Sequence, residues 1–69
     1  IQDELKTFSV RLSPSEGAAR AWLFEYGAVS EELVQPDGRT DLVVGLSEKH
    51  EGRFRSQFSA IELNVQSDS

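Results

Sequence analysis

The chain of 69 residues has no cysteine and no methionine, and only one histidine, one tryptophan and one tyrosine. Without cysteine there is neither a disulfide framework nor a thiolate zinc site to supplement a small core. The single histidine, His50, lacks partners at ligand spacing, so "EKHE" reads as the solvated start of a helix. No apolar run reaches the roughly 18 residues of a membrane span, and no signal peptide is visible. Basic residues are scarce: seven Lys and Arg stand against twelve Asp and Glu, for a net charge of −5. That balance repels phosphate backbones and anionic lipid, so neither nucleic acid nor a membrane is expected as a direct partner. There is no glycine-rich turn ending in Gly-Lys-Ser/Thr to cradle phosphates, and the serines lack a nucleophile elbow or a base to orient. The start at Ile1 and the absence of methionine point to a piece of a longer protein.

What is present is 38% apolar and 28% charged, the make-up of one ordinary globular domain. A chain this short buries only about 60% of its unfolded surface, so its core is thin. "FSVRLS" alternates Phe8, Val10 and Leu12 against Thr7, Ser9 and Arg11, the pattern of a half-buried strand. Ser13 and Glu16 form a capping-box pair with Pro14 at the first helical position, which predicts a helix from there to about Tyr26. Gly27 is expected to end it in a left-handed conformation. Ala19, Trp22, Leu23 and Tyr26 have the spacing of one buried face, with Trp22 packed on Val10 and Val44. Phe24 falls off that face; it covers an edge or belongs to a binding patch.

"AVSEELV", "QPDG" and "RTDLVVGLS" read as a hairpin closed by Pro36, Asp37 and Gly38. Glu31 and Glu32 adjoin, but neighbours on a strand point to opposite faces, which makes them a poor acid and base pair. Ser47 caps a second helix over 48–58, with Phe54 and Phe58 one turn apart. "AIELNV" is a last strand with Ile61, Leu63 and Val65 on one side, and "QSDS" a frayed polar tail. Residues 1–4 have the character of a linker. The order β-α-β-β-α-β predicts a ferredoxin-like α+β fold, a four-stranded antiparallel sheet with two helices on one face. The other sheet face then carries Thr7, Ser9, Arg11, Asp41, Val43, Gly45, Glu62 and Asn64. It has none of the aromatics on which an RNA-recognition sheet stacks bases. "GRFRS" places Arg53 and Arg55 beside an aromatic, and these two with Phe24 are the candidate partner contacts. No catalytic, cofactor-binding or metal-binding residue stands out.

Gly17, Trp22, Leu23, Gly27, Val29, Glu31, Glu32, Asp37, Gly38, Leu42, Val44, Leu46, Arg53 and Phe54 trace a longer pattern. A glycine precedes a helix with a Trp-Leu centre, a Gly-x-Val strand with acidic residues follows, then an Asp-Gly turn, a strand, and a helix with an Arg-Phe pair. Over residues 8–55 this resembles the C-terminal domain of HflX-type GTPases, ribosome-associated proteins of bacteria. The resemblance implies a single module over 1–69, cut from a cytoplasmic GTPase. It also implies an upstream GTPase domain as partner in cis and the large ribosomal subunit as partner in trans. GTP and Mg would belong to the parent, since none of the nucleotide-binding motifs lies in this stretch, and the chain itself would hold no cofactor and catalyse nothing. Two other classes stay open. A free-standing ferredoxin-like sensor of small molecules would dimerise through its sheet. A small acylphosphatase-type enzyme would need an Arg-bearing phosphate loop where Ser13 and Pro14 stand.

Overall fold

The alternation of Phe8, Val10 and Leu12 becomes the first strand of a computed structural model that describes residues 5–66. This strand, β1 (Lys6–Leu12), is followed by helix α1 (Gly17–Tyr26), strands β2 (Ala28–Val34) and β3 (Thr40–Leu46), helix α2 (Glu48–Gln57) and strand β4 (Leu63–Val65). The fold is α+β: four antiparallel strands in the order β2-β3-β1-β4, with two helices. The residues expected for a linker at 1–4, and 67–69 of the polar tail, lie outside the described residues.

One face of the sheet makes the core. Phe8, Val10 and Leu12 of β1, Leu42, Val44 and Leu46 of β3 and Leu63 of β4 are buried together with Ala19 and Leu23 of α1 and Phe54 of α2. Period-two strands and a helix with one apolar stripe can do little else in water. The buried polar side chains, Thr40 and Ser47, leave no side-chain atom without a partner among the described residues.

Five details differ from the expectations. The first helix starts at Gly17, three residues past Pro14, because only half of the capping box forms. The Glu16 carboxylate accepts from the Ser13 amide at 2.7 Å, but the Ser13 hydroxyl pairs with that of Ser15 at 3.0 Å. Pro14 and Ser15 form a turn instead. Gly27 is not left-handed: its φ of −109° and ψ of 170° are extended. A glycine is needed there for closeness, since a Cβ would lie 2.6 Å from Val44 Cγ2 and 2.9 Å from both Leu46 Cδ2 and the Leu23 carbonyl oxygen. Tyr26, expected on the buried face, is 48% exposed. Trp22 is half-buried rather than buried, lying against the edge of the core. The last strand begins only at Leu63, because a turn closed by the Ile61 amide on the Phe58 carbonyl delays it; Ile61 is half-buried and Val65 exposed.

The hairpin turn follows its chemistry. The Gly38 amide bonds the Gln35 carbonyl at 3.0 Å, the Asp37 carboxylate accepts from the Arg39 amide at 3.0 Å, and Gly38 takes φ +94°. That conformation costs a residue with a Cβ. Its Cβ position also lies 2.8 Å from Pro14 Cγ, so the loop after β1 packs on this turn.

Candidate functional site

Cross-strand pairing decides which side chains share the uncovered sheet face. Ser9 pairs with Val43 on one side and Asn64 on the other, and Arg11 pairs with Asp41. A groove of about 510 Å³ runs along Ser9, Arg11, Asp41, Glu62 and Asn64. At its centre the Arg11 Nε donates to one Asp41 oxygen at 2.9 Å, and the Gln35 amide donates to the other at 2.9 Å. The hydrogen bond from Arg11, then that from Gln35, holds the Asp41 carboxyl below the usual carboxylate range; Asp41 in turn raises the Arg11 guanidinium. Both carboxylate oxygens are thus engaged and the guanidinium is balanced by its neighbour. The groove offers hydrogen-bonding groups and an ion pair whose charges offset each other.

The aromatic stripe of α1 meets α2. Trp22 lies 4.8 Å from Tyr26, 5.6 Å from Phe54, 6.0 Å from His50 and 6.3 Å from Phe58, centroid to centroid. These are the tilted and edge-on geometries of packed aromatic side chains. His50 is fastened as part of the helix cap: its amide bonds the Ser47 hydroxyl at 3.3 Å, and its Nδ1 lies 3.2 Å from the same oxygen. Trp22 therefore ties the two helices together above the core.

The three candidate contacts fall in different places. Arg55 reaches back to Glu51 at 3.1 Å, one turn earlier. Residues two apart on a helix are separated by about 200°, and buried Phe54 stands between the two arginines, so Arg53 and Arg55 leave α2 on opposite flanks. Phe24 is 44% exposed, with the Arg20 guanidinium 4.7 Å above its ring. The same guanidinium reaches Glu32 of β2 at 2.8 Å. Phe24 thus sits on the flank of α1 that overlooks β2, and Arg20 bridges helix and strand. Nothing local in the sequence links Arg20 to Glu32, which stand twelve residues apart.

The strand it overlooks has an irregularity. Val29 pairs with Val44, but Glu31, not Ser30, pairs with the next residue, Val43. Ser30 is the extra residue of a β-bulge, its hydroxyl donating to the Val43 carbonyl at 3.2 Å. Beyond it, Glu31 and Leu33 share the uncovered face with Val43 and Asp41, while Glu32 and Val34 share the helix side with Leu42 and Thr40.

Among the described residues no three His, Cys, Asp or Glu are grouped so that they could hold a metal ion. No helix among them is long and apolar enough to cross a membrane. No family model, curated protein or solved structure matches the chain.

Proposed function

We propose that the chain is a non-catalytic interaction module, the C-terminal domain of an HflX-like, ribosome-associated GTPase of the cytoplasm. The finer fold assignment, the ferredoxin-like arrangement with both helices on one sheet face, belongs to the same proposal. The observation that carries it is the role of the residues on which the resemblance rests. Gly27 lies where no Cβ fits, Gly38 takes the positive φ of the hairpin turn, and Leu23, Leu42, Val44, Leu46 and Phe54 are all core. The pattern is therefore a pattern of fold-determining positions spread over α1 to α2, and such positions are what a shared domain has in common. The strand and helix order is compatible with the same reading.

In this reading GTP binding and hydrolysis belong to an upstream domain with its Mg, and this module contributes docking. The isolated 69 residues bind neither GTP nor RNA, because they have no phosphate-cradling loop and carry a net charge of −5. The deciding experiment is to read the coding sequence upstream of Ile1. A G domain with Gly-x-x-x-x-Gly-Lys-Ser/Thr and Asn-Lys-x-Asp is expected, and any other upstream domain sinks the assignment. Titration against ribosomal RNA at low salt checks the docking role. Sub-micromolar binding abolished by Arg53→Ala and Arg55→Ala would make α2 a nucleic-acid site and overturn it.

A further inference from the structure

Among the described residues strand β2 is an edge strand: β3 is its only neighbour in the sheet there, and its outer side has no backbone hydrogen bond to any other described segment. Such an edge presents free N–H and C=O groups to an incoming strand. Exposed apolar side chains flank it on both faces. Leu33, 60% exposed, stands on the uncovered sheet face, and Val34, 62% exposed, on the helix side, where Phe24 overlooks the strand. We propose that β2 is a docking edge for an extended basic and aliphatic segment of a partner protein, which adds as a fifth strand beneath Phe24. The inference rests on reading the chain as an interaction module; it does not depend on the likeness to HflX.

Charge selects the occupant. Glu31 stands on the uncovered face at the start of the regular stretch after the bulge, and Glu32 on the other face is engaged by Arg20. A second copy of the chain would bring a further net charge of −5, and antiparallel registers centred on Glu31 or Glu32 would set glutamate against glutamate. Like charges directly opposite destabilise a strand pair, whereas a Lys or Arg opposite Glu31 stabilises it. The bulge at Ser30 blunts the start of the edge, so the receptive part is Glu31–Val34. A matching segment alternates: basic residues towards Glu31, aliphatic ones towards Phe24 and Val34. Main-chain hydrogen bonds would supply the affinity and this alternation the selectivity.

The test uses the 69-residue chain labelled with ¹⁵N and a synthetic probe, acetyl-Thr-Val-Lys-Val-Lys-Val-Thr-amide. A control peptide has Glu for both Lys, and a second control is N-methylated at alternate residues. The basic probe is expected to shift the amides of residues 29–34 and slow their hydrogen exchange, while neither control does. Glu31→Lys should weaken the basic probe about tenfold and admit the acidic one. Shifts confined to another surface, equal binding of all three peptides, or no binding by the folded chain would each overturn the docking edge. None of these results bears on what lies upstream of Ile1, so the family reading stands or falls separately.

Discussion

Replacing Gly27 by alanine tests the packing most directly. The backbone there, φ −109° and ψ 170°, suits alanine, so conformational strain is not at issue. The added methyl would lie 2.6 Å from Val44 Cγ2, 2.9 Å from Leu46 Cδ2 and 2.9 Å from the Leu23 carbonyl oxygen. Val44 and Leu46 are fully buried and have little room to retreat. The Leu23 carbonyl accepts the Gly27 amide at 2.9 Å, so moving it also weakens the bond that ends α1. Overpacking of this kind costs about 1–3 kcal/mol, and the weakened bond about 1 kcal/mol more. The lower entropy of the unfolded alanine chain returns roughly 0.4–1 kcal/mol. The net is a loss of about 1–3.5 kcal/mol, which in so small a domain lowers the melting temperature by roughly 5–25 °C. Gly52→Ala is the control: its Cβ would meet nothing within 4 Å, on a helix. That variant should gain up to about 1 kcal/mol. Thermal and urea unfolding followed by circular dichroism measures both. If Gly27→Ala melts at or above the parent, or if the two variants move in the same direction, the close packing of α1 onto β3 is wrong.

Three further variants probe other parts of the molecule. Gly38→Ala should lose about 1–2 kcal/mol from the positive φ alone, and Gly38→Asn less; equal losses in urea unfolding would show that the turn is not what limits the site. Trp22→Ala should cost about 2–4 kcal/mol, below the value for a fully buried tryptophan, because Trp22 is half-buried against Phe54 and Phe58; an unchanged unfolding midpoint would move it from core to binding surface. Asp41 is held below its ordinary value by Arg11 and Gln35, so its contribution is complete above the unfolded carboxylate value of about 3.9 and is lost as the pH falls through the depressed folded one. Asp41→Asn should therefore flatten the acid limb of the stability curve below about pH 4, and parallel curves for variant and parent would refute the pairing.

Most of the sheet core was legible because each strand there has one wet face. Phe8, Val10 and Leu12, and Leu42, Val44 and Leu46, alternate without interruption, and every one of them is buried. The hairpin turn was legible for a different reason: Pro36, Asp37 and Gly38 each have a conformational preference that the turn uses. Failures came where two local solutions compete. Ser13 and Glu16 satisfy the helix-start pattern, yet the Ser13 hydroxyl found Ser15, and the intervening Pro14 packed on the hairpin turn instead of opening the helix. Gly27 signals a helix end by its identity, but the identity does not reveal whether freedom of φ or lack of a methyl is being used. Here it is the methyl. Tyr26 has helical spacing with Ala19 and Leu23, but it lies at the last turn, where Trp22 and His50 flank its ring and leave it 48% exposed. Of the candidate contacts, Phe24 was marked by falling off the apolar stripe. Its association with Arg20 and Glu32 depends on residues twelve apart in the chain, which no periodicity couples.

The bulge at Ser30 shows how much a single residue decides. In an unbroken strand, Val29, Glu31 and Leu33 would share one face by the period of two. Val29 packs against the core, so Glu31 would then be carried to the helix side and Glu32 to the uncovered face. The extra residue reverses that assignment: Glu31 joins Val43 on the uncovered face, and Glu32 arrives beside Leu42, where Arg20 can reach it. A one-residue slip flips every following side chain, and here the slip is built into the fold. Arg20 then has an acid on one side and the Phe24 ring beneath it, which holds the exposed aromatic over the strand. Glu31 is meanwhile left on the face where an added strand would present its own charge. The polarity of the edge and the position of Phe24 thus have one local cause, a serine accommodated by the Val43 carbonyl. This couples the two features: a change that removed the bulge would withdraw Glu32 from Arg20 and Glu31 from the uncovered face together.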